Sequence, residues 1–471
     1  VKRLGNALKE IIFMTTRLPA IFCSAAVSIV LTSASLGLIP ARAEEPITLS
    51  ARLAHSVMKS GDQAPNYLRI GLNGCKPEPN ANRTPVNVAF VIDRSGSMEG
   101  DRIAQARGAA IMAVSRLSQN DIASLVIFDD KVDVIVPAQK VADPNTFIDR
   151  IRQIDTRGST AIYAGVRNGA AEVRKFMDDR HLNRVVLLSD GMANVGPSQP
   201  ADFGALGKQL LAEGISVSTI GLGADYNEDL MLQLARASDG NHAFASSPSD
   251  LVQIFNREFD DVLSSCAQMV SIDVDMKPGA RVVRALSRDG NVEGEHASFR
   301  LNQVYAATEH YVLLEIAADG KPTTEEQNWG RVRVAYTVPG TGEKKTIDAP
   351  IQGRFSQSGA EVTASADAAV MDTVMEQVVR ERARQAIVLR DQGKLEEARK
   401  LFESNQAALS SYLATTPTPS PNLSTLQRSY ATFSASSALS SSAWNANRKQ
   451  LRELDARNPV APAAAAAPPR F

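Results

Sequence analysis

Residues 87–98 read NVAFVIDRSGSM. An apolar run that ends in an acid, then in hydroxyls around a glycine, is how a strand buried on both faces delivers polar side chains to its carboxyl end. Outward from it, the same kind of run recurs as ASLVIF (123–128), RVVLLSD (184–190) and SVSTIGL (216–222). Between these runs lie amphipathic stretches from about residue 102 to 117, 162 to 176 and 203 to 213, with further helices near Leu230 and Phe255. Strand and helix alternating in this way predict a doubly wound, mainly parallel α/β sheet over residues 84–265.

The flanks have a different rhythm. ITLSARLAHSV and NYLRIGL, split near Gly61-Asp62, predict a hairpin within 46–82, and MVSIDVDM, YVLLEIA and RVRVAYTV predict a β-sandwich-like module over 267–357. A hairpin that small is not stable alone, so it is expected to pair with the later module, with the α/β domain inserted between them. Over 365–412, Val370, Val374 and Val378 line one helix face, Gly393 breaks the helix, and Leu395, Ala398, Leu401 and Phe402 line a second, which is the pattern of a helical hairpin. Residues 413–471 read as a disordered low-complexity tail, with one charged helix near Arg448 to Leu454.

With 51 Lys and Arg against 52 Asp and Glu, the net charge of −1 supplies no global field to attract nucleic acid. From Met14, MTTR is a short basic region, Leu18 to Ile39 is uncharged and largely apolar, and Ala41-Arg42-Ala43 precedes Glu44-Glu45 as a cleavage signal. Residues 1–43 are therefore expected to be a secretory leader, with Met14 the true start, and the chain periplasmic or secreted. An uncleaved anchor is the rival reading of the same apolar run. Cys23 follows the bulky Ile21-Phe22 and does not make a lipobox. No later stretch is long and apolar enough to cross a membrane as a helix. Cleavage leaves Cys75 and Cys266, an even count just outside the two ends of the inserted domain, where a disulfide is the expectation and two separate thiols the alternative.

At Asp93-Arg94-Ser95-Gly96-Ser97 the sequence resembles the von Willebrand factor A family, a Rossmann-like fold whose metal-ion-dependent adhesion site begins Asp-x-Ser-x-Ser. Gly158-Ser159-Thr160 and Ser189-Asp190-Gly191 follow in the family's order. The resemblance implies a cation held by Asp93, Ser95, Ser97, Thr160 and Asp190, with an open position for a carboxylate from a protein partner. An all-oxygen donor set suits Mg²⁺, or Mn²⁺ or Ca²⁺, rather than Zn²⁺. Gly221-Leu222-Gly223-Ala224-Asp225-Tyr226-Asn227 further resembles bacterial members called calcium-activated chloride channel-like. Asp129 and Asp130 are expected in a solvated loop on the same rim, with support of the site as the second reading.

A metal-dependent adhesion or scaffold protein is the reading these features favour, and no enzyme is expected. A subunit serving an ATPase is the main alternative, which the leader opposes because such partners are usually cytosolic. A hydrolase is the weaker one. Ser95 stands where haloacid dehalogenase-like phosphatases place a second aspartate, and GTGEKKT lacks the spacing of a phosphate-binding loop. His181 is expected at the far end of the sheet from the serines, and His55, His242, His296 and His310 at the surface or in turns.

Overall fold

In the computed structural model the described residues are 45–62, 64–76, 83–190, 192–223, 226–245, 250–251, 253–254, 256, 264–436, 444, 448–449, 451–452 and 460–462. The expected leader, with Met14 and Cys23, lies outside them, as do Gly191, Ala224, Asp225, Phe255 and most of the Pro/Ala tail.

Three strands come first: β1 (Ile47–Leu53), β2 (Val57–Lys59) and β3 (Asn66–Gly74). The next six, β4 (Val86–Asp93), β5 (Ile122–Phe128), β6 (Val132–Lys140), β7 (Leu182–Ser189), β8 (Ile215–Leu222) and β9 (His242–Ala245), form one sheet in the order β6-β5-β4-β7-β8-β9. All its pairings are parallel except that of the edge strand β6 with β5. β4, β5, β7 and β8 are buried along their whole length because helices cover both faces. Val88, Phe90 and Ile92 share one core with α1 (Asp101–Ser115) and α2 (Asn145–Arg152). Ala89 and Val91 share the other with α3 (Ile162–Arg174), α4 (Pro200–Ala212) and α5 (Glu228–Ala237). α3 lies so close that a Cβ on Gly169 would come within 2.4 Å of Val91. β6, β9 and α2 were not legible in the sequence; β6 in particular is an edge strand with a mixed burial pattern.

The remaining strands are β10 (Ser265–Met276), β11 (Ala280–Ala285), β12 (Asn291–Glu293), β13 (His296–Tyr305), β14 (Thr308–Ala318), β15 (Gln327–Thr337), β16 (Lys344–Ser356) and β17 (Val460–Pro462). One sheet runs β1-β3-β14-β11 with β17 against β14, the other β12-β13-β10-β15-β16-β2. Leu68, Ile70 and Leu72 of β3 share a single core with Ile272, Val312 and Val332 of the later strands, so the α/β domain is inserted into a sandwich. The disulfide between Cys75 and Cys266, with Cα atoms 5.9 Å apart, ties the two crossing points together. Closing a loop of this length stabilises by about 5 kcal/mol on the chain-entropy account.

Polar side chains fix the inserted domain to the sandwich. Arg184, at the amino end of β7, donates to Ser218 Oγ at 3.0 Å, Gln303 Oε1 at 2.8 Å and the Tyr305 hydroxyl at 2.9 Å. Asp239 bonds Arg288 at 2.6 Å and the Asn302 N–H at 2.6 Å. These contacts gather at the amino ends of the parallel strands, which leaves the carboxyl ends pointing elsewhere.

The chain then becomes helical: α6 (Gly359–Ala364), α7 (Ala368–Asp391), α8 (Leu395–Thr415) and α9 (Pro421–Ser436). α9 begins within the stretch read as tail and is a packed helix. Leu423, Leu426 and Tyr430 are buried with Trp444 and Leu451 against Ile387 and Phe402. Arg448 pairs with Glu228 and Asp229 at the start of α5, and with Asp391 at 3.0 Å. Lys449 bonds the Tyr226 carbonyl at 3.0 Å and lies over that ring.

His242 and His310, expected at the surface, are both buried, one in β9 and one in β14. A strand position shields them where composition alone suggested a turn. Burial pushes both imidazoles down to about 4. An unfolded chain takes up protons at these rings near pH 6.5 and the folded chain only near pH 4, so their neutral-state stability is intact above pH 6.5 and lost as pH falls toward 4. Each ring contributes about 3 kcal/mol to that loss as an order of magnitude. His310→Phe is expected to remove about one proton from the pH dependence of unfolding between pH 6.5 and 4, read from urea titrations at several pH values. An unchanged slope would show that His310 is not one of the linked sites.

Candidate metal centre

Parallel register brings three strand ends to one rim. Asp93 ends β4 opposite Phe128 of β5, while Ile92 pairs with Leu188 of β7, so Ser189 and Asp190 come beside Asp93. Beyond β4 the chain turns through Ser95 and a short 3₁₀ turn, Gly96–Met98, before α1. The loop ahead of α3 is held against this turn by two backbone bonds, Gly96 N to Gly158 O at 3.1 Å and Arg157 N to Arg94 O at 2.7 Å. Gly158 has φ +72, and a Cβ there would lie 2.3 Å from Asp130 Oδ1, so the glycine permits both the turn and the approach.

The side chains form a continuous chain of oxygens. Asp93 Oδ1 accepts the Ser95 N–H at 2.8 Å, and its Oδ2 accepts the Ser189 hydroxyl. Ser95 and Ser97 hydroxyls lie 3.1 Å apart, and the Ser97 hydroxyl donates to Asp190 Oδ1 at 2.8 Å. Thr160 is buried in the adjoining loop, its N–H bound to Asn194 Oδ1 at 2.7 Å and its carbonyl to the Asn194 N–H at 3.2 Å. Four of the five predicted residues are thus linked by hydrogen bonds, Asp93 to Ser95 through the serine N–H, whereas the backbone bonds of Thr160 go to Asn194 and Val195 and not to those four. Asp93, Asp190 and Ser95 are buried, whereas Ser97 and Gly96 open to solvent.

These spacings suit a small octahedral cation. Oxygens about 2.1 Å from Mg²⁺ stand about 3 Å apart along an octahedral edge, close to the Ser95–Ser97 and Ser97–Asp190 separations. Burial pushes Asp93 up to about 6, against the hydrogen bonds from Ser189 and Ser95, and the Asp190 charge adds to the rise. Among the described residues no cationic side chain pairs with Asp93. Asp190, by contrast, accepts Arg102 at 2.5 Å on Oδ2.

Asp129 differs from its expected place in a solvated loop. It is buried, 2.8 Å from Arg94 and 2.9 Å from Arg157, and also accepts the Lys131 N–H; only Asp130 is exposed. Burial would raise its pKa, but the bonds from Arg157 and Lys131 and the Arg94 charge hold it below the usual carboxylate range. Asp129 also fixes the Thr160 loop, because its carbonyl accepts the Ala161 N–H at 2.8 Å. Asn194, Arg94, Arg157 and the hydroxyl of Ser189 were not singled out from sequence. The last three sit inside or beside the quoted motifs, whereas Asn194 carried no signal. Of the histidines, His181 bonds Asp178 ahead of β7, His55 bonds Val362, His242 bonds Thr219 and His296 bonds Asp275. None of these rings bonds Ser95 or Ser97 among the described residues.

Residues 87–257 match the von Willebrand factor type A domain model. This segment is a von Willebrand factor type A domain. Beyond it, the chain is 24% identical over 316 residues to an uncharacterized protein of Synechocystis sp., sll0103, covering 65% of this chain and 74% of that one. It is 28% identical over 197 residues to uncharacterized YfbK of Escherichia coli, covering 41% and 34%, and 27% identical to human inter-alpha-trypsin inhibitor heavy chain H3, covering 34% and 19%. The chain therefore spans about a third and a fifth of the last two. A von Willebrand factor type A structure from Catenulispora acidiphila superposes with a TM-score of 0.62 at 14% identity, covering 77% of this chain and 87% of that one. The ArnB paralog VWA2 from Sulfolobus acidocaldarius superposes at 0.58 with 18% identity, covering 87% and 97%. At these identities the structures establish a common fold that extends past the A domain into the flanking modules.

Asp129→Ala leaves the Arg94 guanidinium, 10% exposed, with the half-exposed Asp133 at 2.7 Å in place of its buried partner. Unfolding free energy is expected to fall by about 2 to 3 kcal/mol in urea titration, short of the full cost of an unpaired buried charge because Asp133 remains. A loss below about 1 kcal/mol would mean that solvent already screens the cluster.

Proposed function

We propose that this chain is an exported, divalent-cation-dependent binding protein of the adhesion or scaffold kind, in which the A domain grips an acidic group on a protein partner. A domains of this family typically mediate protein–protein contacts and commonly bind a divalent metal. What supports the reading is the run of oxygens Ser95–Ser97–Asp190, spaced like octahedral edges beside Asp93, at a rim where Ser97 faces solvent. Asp93, Ser95, Ser97, Thr160 and Asp190 would hold Mg²⁺, or Mn²⁺ or Ca²⁺, and the bound ion would supply an electrophilic position for a carboxylate oxygen. The residues of this chain provide the rest: three of the five donors are neutral hydroxyls, which add no negative charge beyond that of Asp93 and Asp190, and the Asp129 cluster holds the Thr160 loop in place.

Export to the periplasm or beyond is supported by the leader-like composition of residues 1–43 and by the Cys75–Cys266 disulfide, which suits an oxidising compartment. Among the described residues no helix is long and apolar enough to cross a membrane.

Isothermal titration of chelator-treated protein with Mg²⁺ and Mn²⁺ is expected to show one site that Asp93→Ala abolishes while circular dichroism stays native. Global unfolding of that variant, or a folded wild type that binds neither ion, would overturn the assignment.

A further inference from the structure

A crevice of about 540 Å³ opens where the inserted domain meets the sandwich. Lys208 of α4, Ala237 at the end of α5, Arg288 and Asp289 from the turn between β11 and β12, and Arg300 of β13 form its walls. The carboxyl end of α5 lies at the amino ends of the parallel strands, so this space is on the far side of the domain from Asp93 and Asp190. Its volume falls within the range of about 300 to 1,000 Å³ usual for small-molecule sites, which favour junctions between domains.

Alternation along β13 puts a guanidinium there. Phe299 and Leu301 enter the sandwich core, so Arg300 and Asn302 stand on the other face, and Asn302 bonds Asp239 at 2.6 Å and the Ser238 carbonyl at 3.0 Å from the A domain. Asp239 also orients Arg288, whose Nη1 it accepts at 2.6 Å; the Arg288 side chain is only 9% exposed, and its Nε is buried with no hydrogen-bond partner among the described residues. The side chains of Lys208 and Arg300 have no ion pair or hydrogen bond among the described residues. Arg236, also on the wall, is engaged within the fold, so the balance is drawn without it. With Arg288 matched by Asp239, two unmatched cations face one acid on the wall, Asp289, and the crevice keeps a positive excess.

We propose that this crevice binds a small phosphate monoester that carries hydroxyl groups. Two guanidinium forks and an ammonium suit a phosphate with more than one negative charge, because each fork presents paired N–H donors to neighbouring oxygens. The volume exceeds what a bare phosphate fills, and Asp289, which repels the phosphate, is placed to accept from hydroxyls on the attached group. The proposal is independent of the metal reading, since it shares no residue with it.

Isothermal titration at low ionic strength, on full-length protein treated with chelator and then dialysed, tests it with glucose 6-phosphate, inorganic phosphate and glucose as probes. The wild type is expected to bind glucose 6-phosphate more tightly than inorganic phosphate, and glucose not measurably. Lys208→Gln and Arg300→Gln, each checked for native circular dichroism, are expected to weaken glucose 6-phosphate binding by about tenfold. Asp289→Ala is expected to tighten inorganic phosphate binding while reducing the advantage of the sugar phosphate over it. No binding of glucose 6-phosphate by the wild type would overturn the proposal, as would unchanged affinity in the two folded cation variants. Inorganic phosphate binding as tightly as the ester, or an advantage of the ester that survives Asp289→Ala in full, would overturn the part assigned to the hydroxyl groups.

Discussion

The rim exists because four central strands run parallel in one register. Parallel pairing sends every carboxyl end to the same edge of the sheet, so residues 93, 129 and 190, far apart in sequence, each bond the turn that follows β4, at Ser95, Arg94 and Ser97 in order. A slip of one residue in β4 would exchange its two faces, sending Phe90 to the core that holds Ala89 and carrying Asp93 away from Ser189. Register is protected because each face of β4 packs a different set: large side chains toward α1 and α2, and small Ala89 toward the closely approaching α3. Apolar packing in the centre therefore sets where the polar atoms stand at the edge.

Insertion into the sandwich uses the opposite edge. Arg184, Asp239 and Asn302 form their bonds at the amino ends, and the disulfide closes the crossing points there. A buried guanidinium served by two side-chain oxygens from β13 is specific in geometry, so the module has little freedom to roll on its support. A partner bound at the rim, as proposed, would thus meet a domain anchored from behind, and the ordering cost of binding would fall mainly on the partner and on exposed rim residues such as Ser97 and Arg157.

What the sequence showed, and what it hid, divides along local and non-local physics. The strand runs, the helices between them and the three site motifs were legible because each is written in consecutive residues: an apolar run ending in an acid, a Gly-Ser-Thr turn, a Ser-Asp pair. β6 and β9 were not, being edge strands of mixed pattern or a few residues long. Asp129 looked like half of a solvated Asp-Asp pair because its guanidinium partners come from two other loops, and nothing in its own neighbourhood announces them. Within the stretch read as tail, the helix over 421–436 was hidden for the same reason. Its Ser, Thr and Pro content reads as linker, yet Leu423, Leu426, Tyr430, Trp444 and Leu451 recur often enough to pack on Ile387 and Phe402. Arg448 and Lys449 find acids some 220 positions earlier in the chain.

Three aspartates on one rim are compensated to different degrees, and the gradation indicates where the deficit of positive charge lies. Asp129 has two arginines and a backbone N–H, and its pKa is held low. Asp190 has one arginine, itself partly open to water. Among the described residues Asp93 has only hydroxyls and an N–H, and burial drives its pKa up to about 6. A protein selected only for stability would gain by replacing an acid in that condition with a neutral residue, since desolvation without a paired cation is a net cost. Keeping a fully buried Asp93 on the rim, beside two serines at octahedral spacing, is sensible when a mobile cation completes it. The same comparison argues against a ligand role for Asp129, whose charge is already spent on holding the loop that carries Thr160.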